Sequence, residues 1–404
     1  MDLPSSLRRQ FPILTETVNE HSLVYLDNAA TTQKPLAVLS AMDQYYRHDN
    51  ANINRSMHPL AERATLAYEQ ARDVVQTFLN AKKRQEIIFV KSATEGINLV
   101  ARTLGDSLTQ EDTVILTTLE HHANIIPWLQ LKERKNINIE WLECDASGNL
   151  HLETLKDILG KKQVSLVCVT AVSNVLGVKT PVSEIVRLSH QHGARVLVDA
   201  AQMAPHETID VQALDSDFLV FSGHKLYGPT GIGVLYGRES MLASMPPFLG
   251  GGDMVEAVTR QGFSPAELPR TFEAGTPPIA EAVGLAAAID WFTPLREATE
   301  THEQYLLTYA ASALSRIPRL HILGPTTGHV SCISFTIEGL HPHDITEVLG
   351  RRGVCLRSGH HCAHILHKSL GIQASTRLSV AAYNTQADID ACTNAIREVQ
   401  KLLA

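Results

Sequence analysis

The chain has 404 residues, of which 44% are hydrophobic and 19% are charged, and its formal net charge at pH 7 is -8. This length is too great for one ordinary core and fits two domains, and the composition excludes a disordered protein. The chain has no basic run and no basic patch interleaved with aromatic residues, so we expect no nucleic-acid partner. Neither a signal peptide nor a membrane span fits the apolar segments, and we therefore expect a cytoplasmic protein without a membrane partner.

Strand and helix signals alternate along the first part of the chain. The sequence predicts strands at 86–90, 113–117, 165–170, 195–199, 218–221 and 233–236, and helices from about Thr94 and over 182–192. Thr94 could serve as the N-cap of its helix. Near-continuous apolar strands separated by helices predict an α/β fold, with a parallel or mixed sheet covered on both faces.

The pattern changes in the last third of the chain. A long helical stretch runs from Ile279 into Trp291, and further helices and short strands follow, such as 329–335. This pattern predicts a smaller α+β domain at the C-terminal end. We place the large domain at residues 15–265 and the small domain at residues 1–14 and 266–404.

Two opposite charges stand at the ends of apolar strands: Asp199 ends one, and Lys225 lies just past another. Small ligands collect beyond the carboxyl ends of strands in open α/β sheets. The two residues could form a simple salt bridge. They also supply the two groups that pyridoxal phosphate requires, which are an amine for covalent attachment and a carboxylate for the pyridine nitrogen.

Further polar residues could meet the other parts of this cofactor. A helix N-terminus favours an anion such as a phosphate, and an imidazole can stack on a ring. The candidates are Ser222 and His224 beside the lysine and Ala93 and Thr94 at a helix start, for the phosphate, His121 for the ring face, and Gln202 for the ring hydroxyl. Each one alone is more often structural, but together they supply one group for each feature of a single molecule.

Cys362 lies in the segment RSGHHCAH, together with Arg357 and several histidines. Cationic neighbours favour the thiolate, which is the nucleophilic form of cysteine. The residues 360, 361, 362, 364 and 367 are also dense in potential metal ligands, but adjacent residues rarely converge on one ion, and we predict no metal site. The other five cysteines lie in apolar or helical segments and are expected to be structural free thiols.

Several long segments point to one family. They are VDAAQ followed by SGHKLYGPTGIGVLYG, and ATEGINLV, EHHANIIPW, VSNVLG, FEAGTP and LRSGHHCAHILH. These segments closely resemble the class V aminotransferase-like cysteine desulfurases of the SufS/CsdA-type branch, also called selenocysteine lyases. The resemblance covers the chain from about residue 10 to its end. It implies a pyridoxal-phosphate-dependent transferase fold of type I with a seven-stranded sheet in the large domain, and a homodimer with the active site at the subunit interface.

The resemblance also implies a role for each matching residue. Lys225 would bond covalently to the cofactor, with Asp199 at the pyridine nitrogen, Gln202 at the phenolic oxygen and His121 on the ring. The phosphate would be held by Ala93, Thr94, Ser222 and His224, and Thr276 would reach the phosphate of the other subunit. The substrate would be held by Asn174, Arg357 and Arg377, and Cys362 would be the sulfur carrier. A bidentate guanidinium suits a carboxylate for reasons independent of the family. Two positions depart from the family: Asn54 replaces a common histidine, and Thr271 replaces a common arginine or lysine.

The implied reaction converts L-cysteine to L-alanine and leaves a persulfide on Cys362, which passes to a SufE-like or SufU-like acceptor for iron–sulfur cluster assembly. L-selenocysteine should be split as well. One alternative is a cysteine or cystine C–S lyase of the same fold, which would not need Cys362. Another is a homologue without activity, although the intact Lys225, Asp199 and Cys362 argue against it.

Overall fold

The computed structural model describes residues 7–54 and 57–403. The strands, in chain order, are β1 (Thr17–Val18), β2 (His21–Ser22), β3 (Val24–Tyr25), β4 (Ile87–Val90), β5 (Thr113–Thr117), β6 (Asn138–Leu142), β7 (Val164–Thr170), β8 (Arg195–Asp199), β9 (Phe218–Ser222), β10 (Gly233–Gly237), β11 (Val255–Val258), β12 (Phe263–Pro265), β13 (Leu320–Ile322), β14 (Cys332–Ile337), β15 (Val354–Cys355), β16 (Arg357–Gly359) and β17 (Ser375–Ser379).

The α-helices are α1 (Leu36–Gln44), α2 (Pro59–Leu79), α3 (Ala93–Thr103), α4 (Ile126–Lys135), α5 (Leu152–Lys161), α6 (Val182–Gln191), α7 (Val211–Leu214), α8 (Glu239–Leu242), α9 (Ile279–Phe292), α10 (Arg296–Leu314), α11 (Pro342–Gly350), α12 (His364–Ser369) and α13 (Gln386–Leu403). Within the described ranges, none of them combines the length and the apolar character that a membrane span needs.

Seven strands form the central sheet in the order β4-β10-β9-β8-β7-β5-β6. Five adjacent strands are parallel to one another, in the order β9-β8-β7-β5-β6. Strand β10 is antiparallel to both of its neighbours, β4 and β9. The predicted mixed, mostly parallel seven-stranded sheet is confirmed. The inner strands β5, β7 and β9 are almost entirely buried because helices cover both faces, which explains why they are near-continuous apolar runs. The edge strand β6 is more exposed.

Helix α3 lies close against this sheet because of one glycine. A Cβ atom on Gly96 would stand 2.9 Å from Cγ1 of Val220 and 3.4 Å from Cβ of Leu235. The helix begins at Ala93, with Ser92 as its N-cap residue, and the side chain of Ser92 forms no capping bond. The predicted threonine cap is therefore wrong, because Thr94 already lies in the first helical turn.

A second, antiparallel sheet has the strand order β13-β14-β17-β16. Apolar side chains of α10, α11 and α13 pack with this sheet in a core of their own, which also includes Val24 and Leu26 from the N-terminal part of the chain. Helix α9, by contrast, packs on α1 and α2 and contributes to the core of the seven-stranded sheet. The limits of the two domains stay a prediction.

Candidate active site

A cavity of about 230 Å³ opens at the carboxyl ends of the parallel strands. All but one of the predicted site residues line it together, and they are Ala93, Thr94, His121, Asn174, Asp199, Gln202, Ser222, His224, Lys225, Arg357, Cys362 and Arg377. Thr276 does not line it and lies in a separate cavity with Tyr68 and Phe272. The fold thus brings residues from distant parts of a single chain to one place.

Lys225 and Asp199 form the floor of this cavity. Lys225 ends a tight turn (Gly223–Lys225) that follows β9 directly, and Asp199 is the last residue of β8. Burial lowers the pKa of the Lys225 amine to about 8, opposed by the Asp199 carboxylate. Burial raises the pKa of Asp199, although its Oδ1 accepts a hydrogen bond from the Ala201 amide at 2.9 Å. A neutral amine is therefore accessible near physiological pH, which covalent attachment to a carbonyl requires.

His121 is held as a neutral ring at the side of the cavity. Its Nδ1 accepts from the backbone N–H of Ala123 at 3.1 Å, so the proton of the neutral ring is on Nε2. Burial and the nearby Lys225 lower the pKa of His121 to about 3. An uncharged imidazole in this position suits stacking on a flat ring.

The opposite side of the cavity offers donors for an anion. Ser222 Oγ accepts from the backbone N–H of Ala93 at 2.9 Å, at the start of α3, which leaves the hydroxyl hydrogen free to donate. The N-terminus of an 11-residue helix adds unpaired N–H groups and a positive dipole end. His224 lines the same cavity, and burial lowers its pKa to about 4.

Two arginines face each other across adjacent strands at the cavity. Arg357 of β16 pairs directly with Arg377 of β17 in the antiparallel register. Like charges in such a pair destabilise a sheet, so the arrangement favours an anion between them. The buried guanidinium of Arg377 is oriented by the carbonyl oxygen of Asn174, 2.8 Å from Nη1, and by Oδ1 of Asp27, 3.2 Å from Nη2, while its Nε has no partner among the described residues.

Cys362 lies on a loop with a strained backbone. His361 has a φ of 50° and Cys362 a φ of 56°, a left-handed conformation that residues other than glycine rarely adopt. The loop is held by the Asn174 side chain, whose Nδ2 donates to the carbonyl oxygen of His361 at 2.7 Å, and by the His122 amide, which donates to the carbonyl oxygen of Cys362 at 2.8 Å. Such strain is common at functional sites, where the surrounding contacts maintain it.

Comparisons with known proteins agree with this geometry. The family described as "Aminotransferase class-V" matches residues 24–392. A probable cysteine desulfurase from Streptomyces coelicolor is 46% identical, over 98% of this chain and 96% of its own length. The chain belongs to the class-V aminotransferase family, among the cysteine desulfurases.

Solved structures of family members have the same fold. The cysteine desulfurase of Thermococcus onnurineus superposes with a TM-score of 0.94 at 38% identity, covering 100% of this chain and 99% of that one. The cysteine desulfurase CsdA of Escherichia coli gives a TM-score of 0.91 at 37% identity and covers 99% of both chains. The predicted family and fold are confirmed, and so is the prediction of a pyridoxal-phosphate-dependent enzyme.

The residues of this class-V family member fit pyridoxal phosphate. The side-chain amide of Gln202 is buried and donates through Nε2 to the carbonyl oxygen of Ala29 at 2.8 Å, but within the described part of the chain its Oε1 has no partner. A ring hydroxyl would satisfy this buried oxygen, which is otherwise costly to leave unpaired. The amine of Lys225, the carboxylate of Asp199 and the donors near Ser222 fit the aldehyde, the pyridine nitrogen and the phosphate.

Three charged residues that contact residues of the cavity lining were not named from the sequence. Asp27, which binds Arg377, comes two residues after the short strand β3, and a carboxylate near a strand end is the pattern that identified Asp199. Glu120 precedes His121 and is fully buried, which raises its pKa to about 8. Lys34 binds the carbonyl oxygen of the residue before Lys225, at 2.9 Å, and no sequence pattern points to this contact.

The two departures from the family lie outside the cavity lining. Asn54 has a φ of 67° and its Nδ2 donates to Oδ2 of Asp253 at 3.3 Å. Arg55, next to it, lies outside the described residues. His58 caps α2 by accepting from the Ala61 amide at 3.2 Å, and Thr271 is buried in a short turn. The prediction that the histidines near Cys362 hold no metal stays a prediction.

Proposed function

We propose that this protein is a cysteine desulfurase that converts L-cysteine to L-alanine and carries the sulfur as a persulfide on Cys362. The observation that carries this proposal is the joint lining of one cavity by Lys225, Asp199, the Arg357–Arg377 pair and Cys362. These residues supply an attachment point for the cofactor, a carboxylate site and a nucleophilic thiol. A cavity with only the first two would support many reactions of the family.

The cavity residues have defined parts in the reaction. Pyridoxal phosphate, when bound, withdraws electrons from the substrate atoms next to its point of attachment. Arg377, with Asn174 and Arg357, holds the substrate carboxylate. The Lys225 amine, with its pKa lowered to about 8, accepts and returns the proton of the substrate α-carbon.

Cys362 then breaks the carbon–sulfur bond. Its thiolate attacks the substrate sulfur, a sulfur–sulfur bond forms, and the electron pair of the carbon–sulfur bond stays on the carbon, which takes up a proton. The products are L-alanine and a Cys362 persulfide, so atoms and electrons balance without an added oxidant or reductant. The persulfide sulfur then moves to an acceptor thiol.

Several finer features belong to the same proposal. The acceptor is a SufE-like or SufU-like protein, the pathway is iron–sulfur cluster assembly, and L-selenocysteine is a second substrate. The enzyme works in the cytoplasm as a homodimer in which Thr276, remote from the cavity of its own chain, reaches the phosphate site of the partner. The catalytic cysteine loop belongs to the small domain, with its limits at residues 1–14 and 266–404.

A C–S lyase of the same fold is the main competing function. Such an enzyme releases sulfide and does not need a thiol in the cavity, whereas Cys362 lines the cavity here. A non-enzymatic homologue is disfavoured by the complete set of Lys225, Asp199 and Cys362. Both alternatives make different predictions for a cysteine variant.

The test measures L-alanine and persulfide formed from L-cysteine by the purified holoenzyme. In Cys362→Ser we expect alanine production to fall by about 10²-fold or more because the nucleophile is lost, while the visible absorption of the bound cofactor stays. The matched control is Cys144→Ser, a half-buried thiol that does not line the cavity, and its activity should equal that of the wild type. Unchanged alanine production by Cys362→Ser would exclude the persulfide route.

A further inference from the structure

The Cys362 loop is tied to the neighbouring turn by His122. The backbone N–H of His122 donates to the carbonyl oxygen of Cys362 at 2.8 Å. In return, Nε2 of the His122 ring accepts from the backbone N–H of His364 at 3.1 Å and lies 2.9 Å from Nδ1 of the His364 ring. One residue therefore contacts the loop at the cysteine itself and two residues after it.

The contact with the His364 backbone fixes the protonation state of His122. A backbone N–H can only donate, so Nε2 of His122 must be the unprotonated nitrogen, and the neutral ring carries its proton on Nδ1. Nδ1 of His364 must then be the donor in the second contact. A doubly protonated His122 ring would have no lone pair on Nε2, so it could no longer accept from the backbone N–H of His364, and its Nε2–H could only donate to the His364 ring.

We propose that His122 is a positioning residue for Cys362, whose neutral imidazole, acting through His364, holds the cysteine loop beside the cavity. His122 does not line the cavity itself, so it is not a catalytic residue. The inference rests on the proposed function only in assigning the sulfur-carrying role to Cys362. The tether itself is a property of the folded chain.

The strain of the loop explains why a tether is needed. His361 and Cys362 both have a left-handed backbone, which costs free energy unless surrounding contacts maintain it. Asn174 provides one such contact, to the carbonyl oxygen of His361. His122 provides the contacts on the C-terminal side, at Cys362 and His364.

The charges around His122 keep it neutral near physiological pH. His364 stacks on it with ring centroids 4.7 Å apart, and His360 stacks on His364 at 3.9 Å. On its own turn, His121 lies 6.3 Å away. Burial, and then His364 and His360, lower the pKa of His122, so the tether should be lost only in acid.

Two more histidines lie next to His360. His343 acts electrostatically on His360, and the ring of His367 contacts the ring of His360. Several histidines other than His122 therefore lie near the loop. A pH effect in the wild type alone would not identify His122. The experiment needs a variant that keeps the acceptor but cannot be protonated.

His122→Gln is that variant, because the glutamine Oε1 can take the place of Nε2 and accepts a hydrogen bond at every pH. His122→Phe removes the acceptor, and His48→Gln, at an exposed histidine, is the matched control. The measurement is amide hydrogen exchange of the peptide around Cys362 in the holoenzyme, corrected for the intrinsic exchange rate. It runs from about pH 8 to about pH 4.5, because the lowered pKa of His122 moves its protonation below the ordinary range of histidine.

In the wild type and in His48→Gln, we expect the protection of the amide hydrogens in this peptide to fall about 3- to 10-fold as the pH is lowered, because one or two hydrogen bonds have about this effect. His122→Gln should keep its protection, and His122→Phe should lack it at both pH values. Equal pH dependence in the wild type and His122→Gln, or full protection in a folded His122→Phe, would overturn the inference.

A second readout separates this inference from the proposed function. The ratio of alanine production at the two pH values should fall less in His122→Gln than in the wild type, because the loop stays in place. If Cys362→Ser still produces alanine, the proposed function fails, but the exchange result remains valid. If the exchange result fails while Cys362 proves essential, the tether alone is wrong.

Discussion

The two parts of the active site are built on different kinds of structure. Asp199 is the last residue of β8, and Lys225 ends the turn after β9, both in the interior of the seven-stranded sheet, where strands on both sides fix their positions. Cys362 lies on a loop between β16 and α12, with a left-handed backbone held by contacts from Asn174 and His122. In the proposed function, the groups that hold the cofactor are thus on strands of the sheet, and the group that carries the sulfur is on a loop.

Removing the Lys225 amine should have the largest effect on activity, and it should change the strand-end part of the site without changing the loop. In Lys225→Ala we expect alanine production to fall by at least about 10³-fold, because both the covalent attachment and the proton transfer at the α-carbon are lost. Dialysis should also remove the cofactor, which the wild type retains. Alanine production is measured with fresh pyridoxal phosphate present.

The loop should not respond to this change. Hydrogen exchange around Cys362 should be the same in apo Lys225→Ala and in the apo wild type, since the loop contacts do not involve the lysine. Lys135→Ala, at an exposed position, is the control for activity. Alanine production by Lys225→Ala within tenfold of the wild type would contradict the role of the strand-end lysine.

Arg377, on β17 of the second sheet, donates to Asp27 and to Asn174, whose side chain also holds the cysteine loop. In Arg377→Lys the bidentate fork is lost while the charge remains. We expect KM for L-cysteine to rise about 10- to 100-fold, the size of one charge-assisted hydrogen bond, with a smaller change in kcat.

Steady-state kinetics and the cofactor spectrum test this expectation, with the exposed Arg187→Lys as control. A fall in kcat without a change in KM would instead assign Arg377 to the loop and not to the substrate.

Glu120 should give the smallest effect, on stability alone. Thr117 Oγ1 and the Thr170 amide donate to its Oε1 at 2.7 and 2.8 Å, and Asn124 Nδ2 donates to its Oε2 at 2.6 Å, yet burial raises its pKa in the folded protein to about 8. The folded state therefore binds this proton more tightly than the unfolded chain. The contribution of Glu120 to the free energy of unfolding is present below its ordinary pKa and is lost as the pH rises toward about 8.

Glu120→Gln should remove this part of the pH dependence. The difference in thermal midpoint, apo variant minus apo wild type, should increase by about 2 °C or more from about pH 5 to about pH 8. Thermal unfolding followed by circular dichroism measures the difference. A constant difference between the two proteins over this range would show that Glu120 keeps the same protonation state when the chain unfolds.

The sheet and its strand-end residues could be predicted because their signals are local. The strands at 113–117 and 195–199 have the predicted limits, since burial on both faces makes them continuous apolar runs. Asp199 and Lys225 are adjacent to such runs. The sequence places them at the same edge of the sheet without knowledge of any distant contact.

Contacts between distant segments could not be predicted in this way. Lys34 and His224 are 190 residues apart, and His122 and His364 are 242 residues apart. Each of these contacts depends on how two loops meet at the cavity. The same reason applies to the wrong threonine cap at Thr94, since the first N–H of α3 bonds to Ser222, 129 residues further along the chain, and not to a local side chain.

The central claim is that the loop cysteine takes the sulfur from the substrate held by the strand-end residues. The most direct measurement is the mass of each cysteine-containing peptide after one turnover with L-cysteine, without reductant or acceptor. We predict one added sulfur atom on the peptide with Cys362 and none on the peptide with Cys355. Formation of alanine with no sulfur added to Cys362, or with sulfur on another cysteine instead, would contradict the claim.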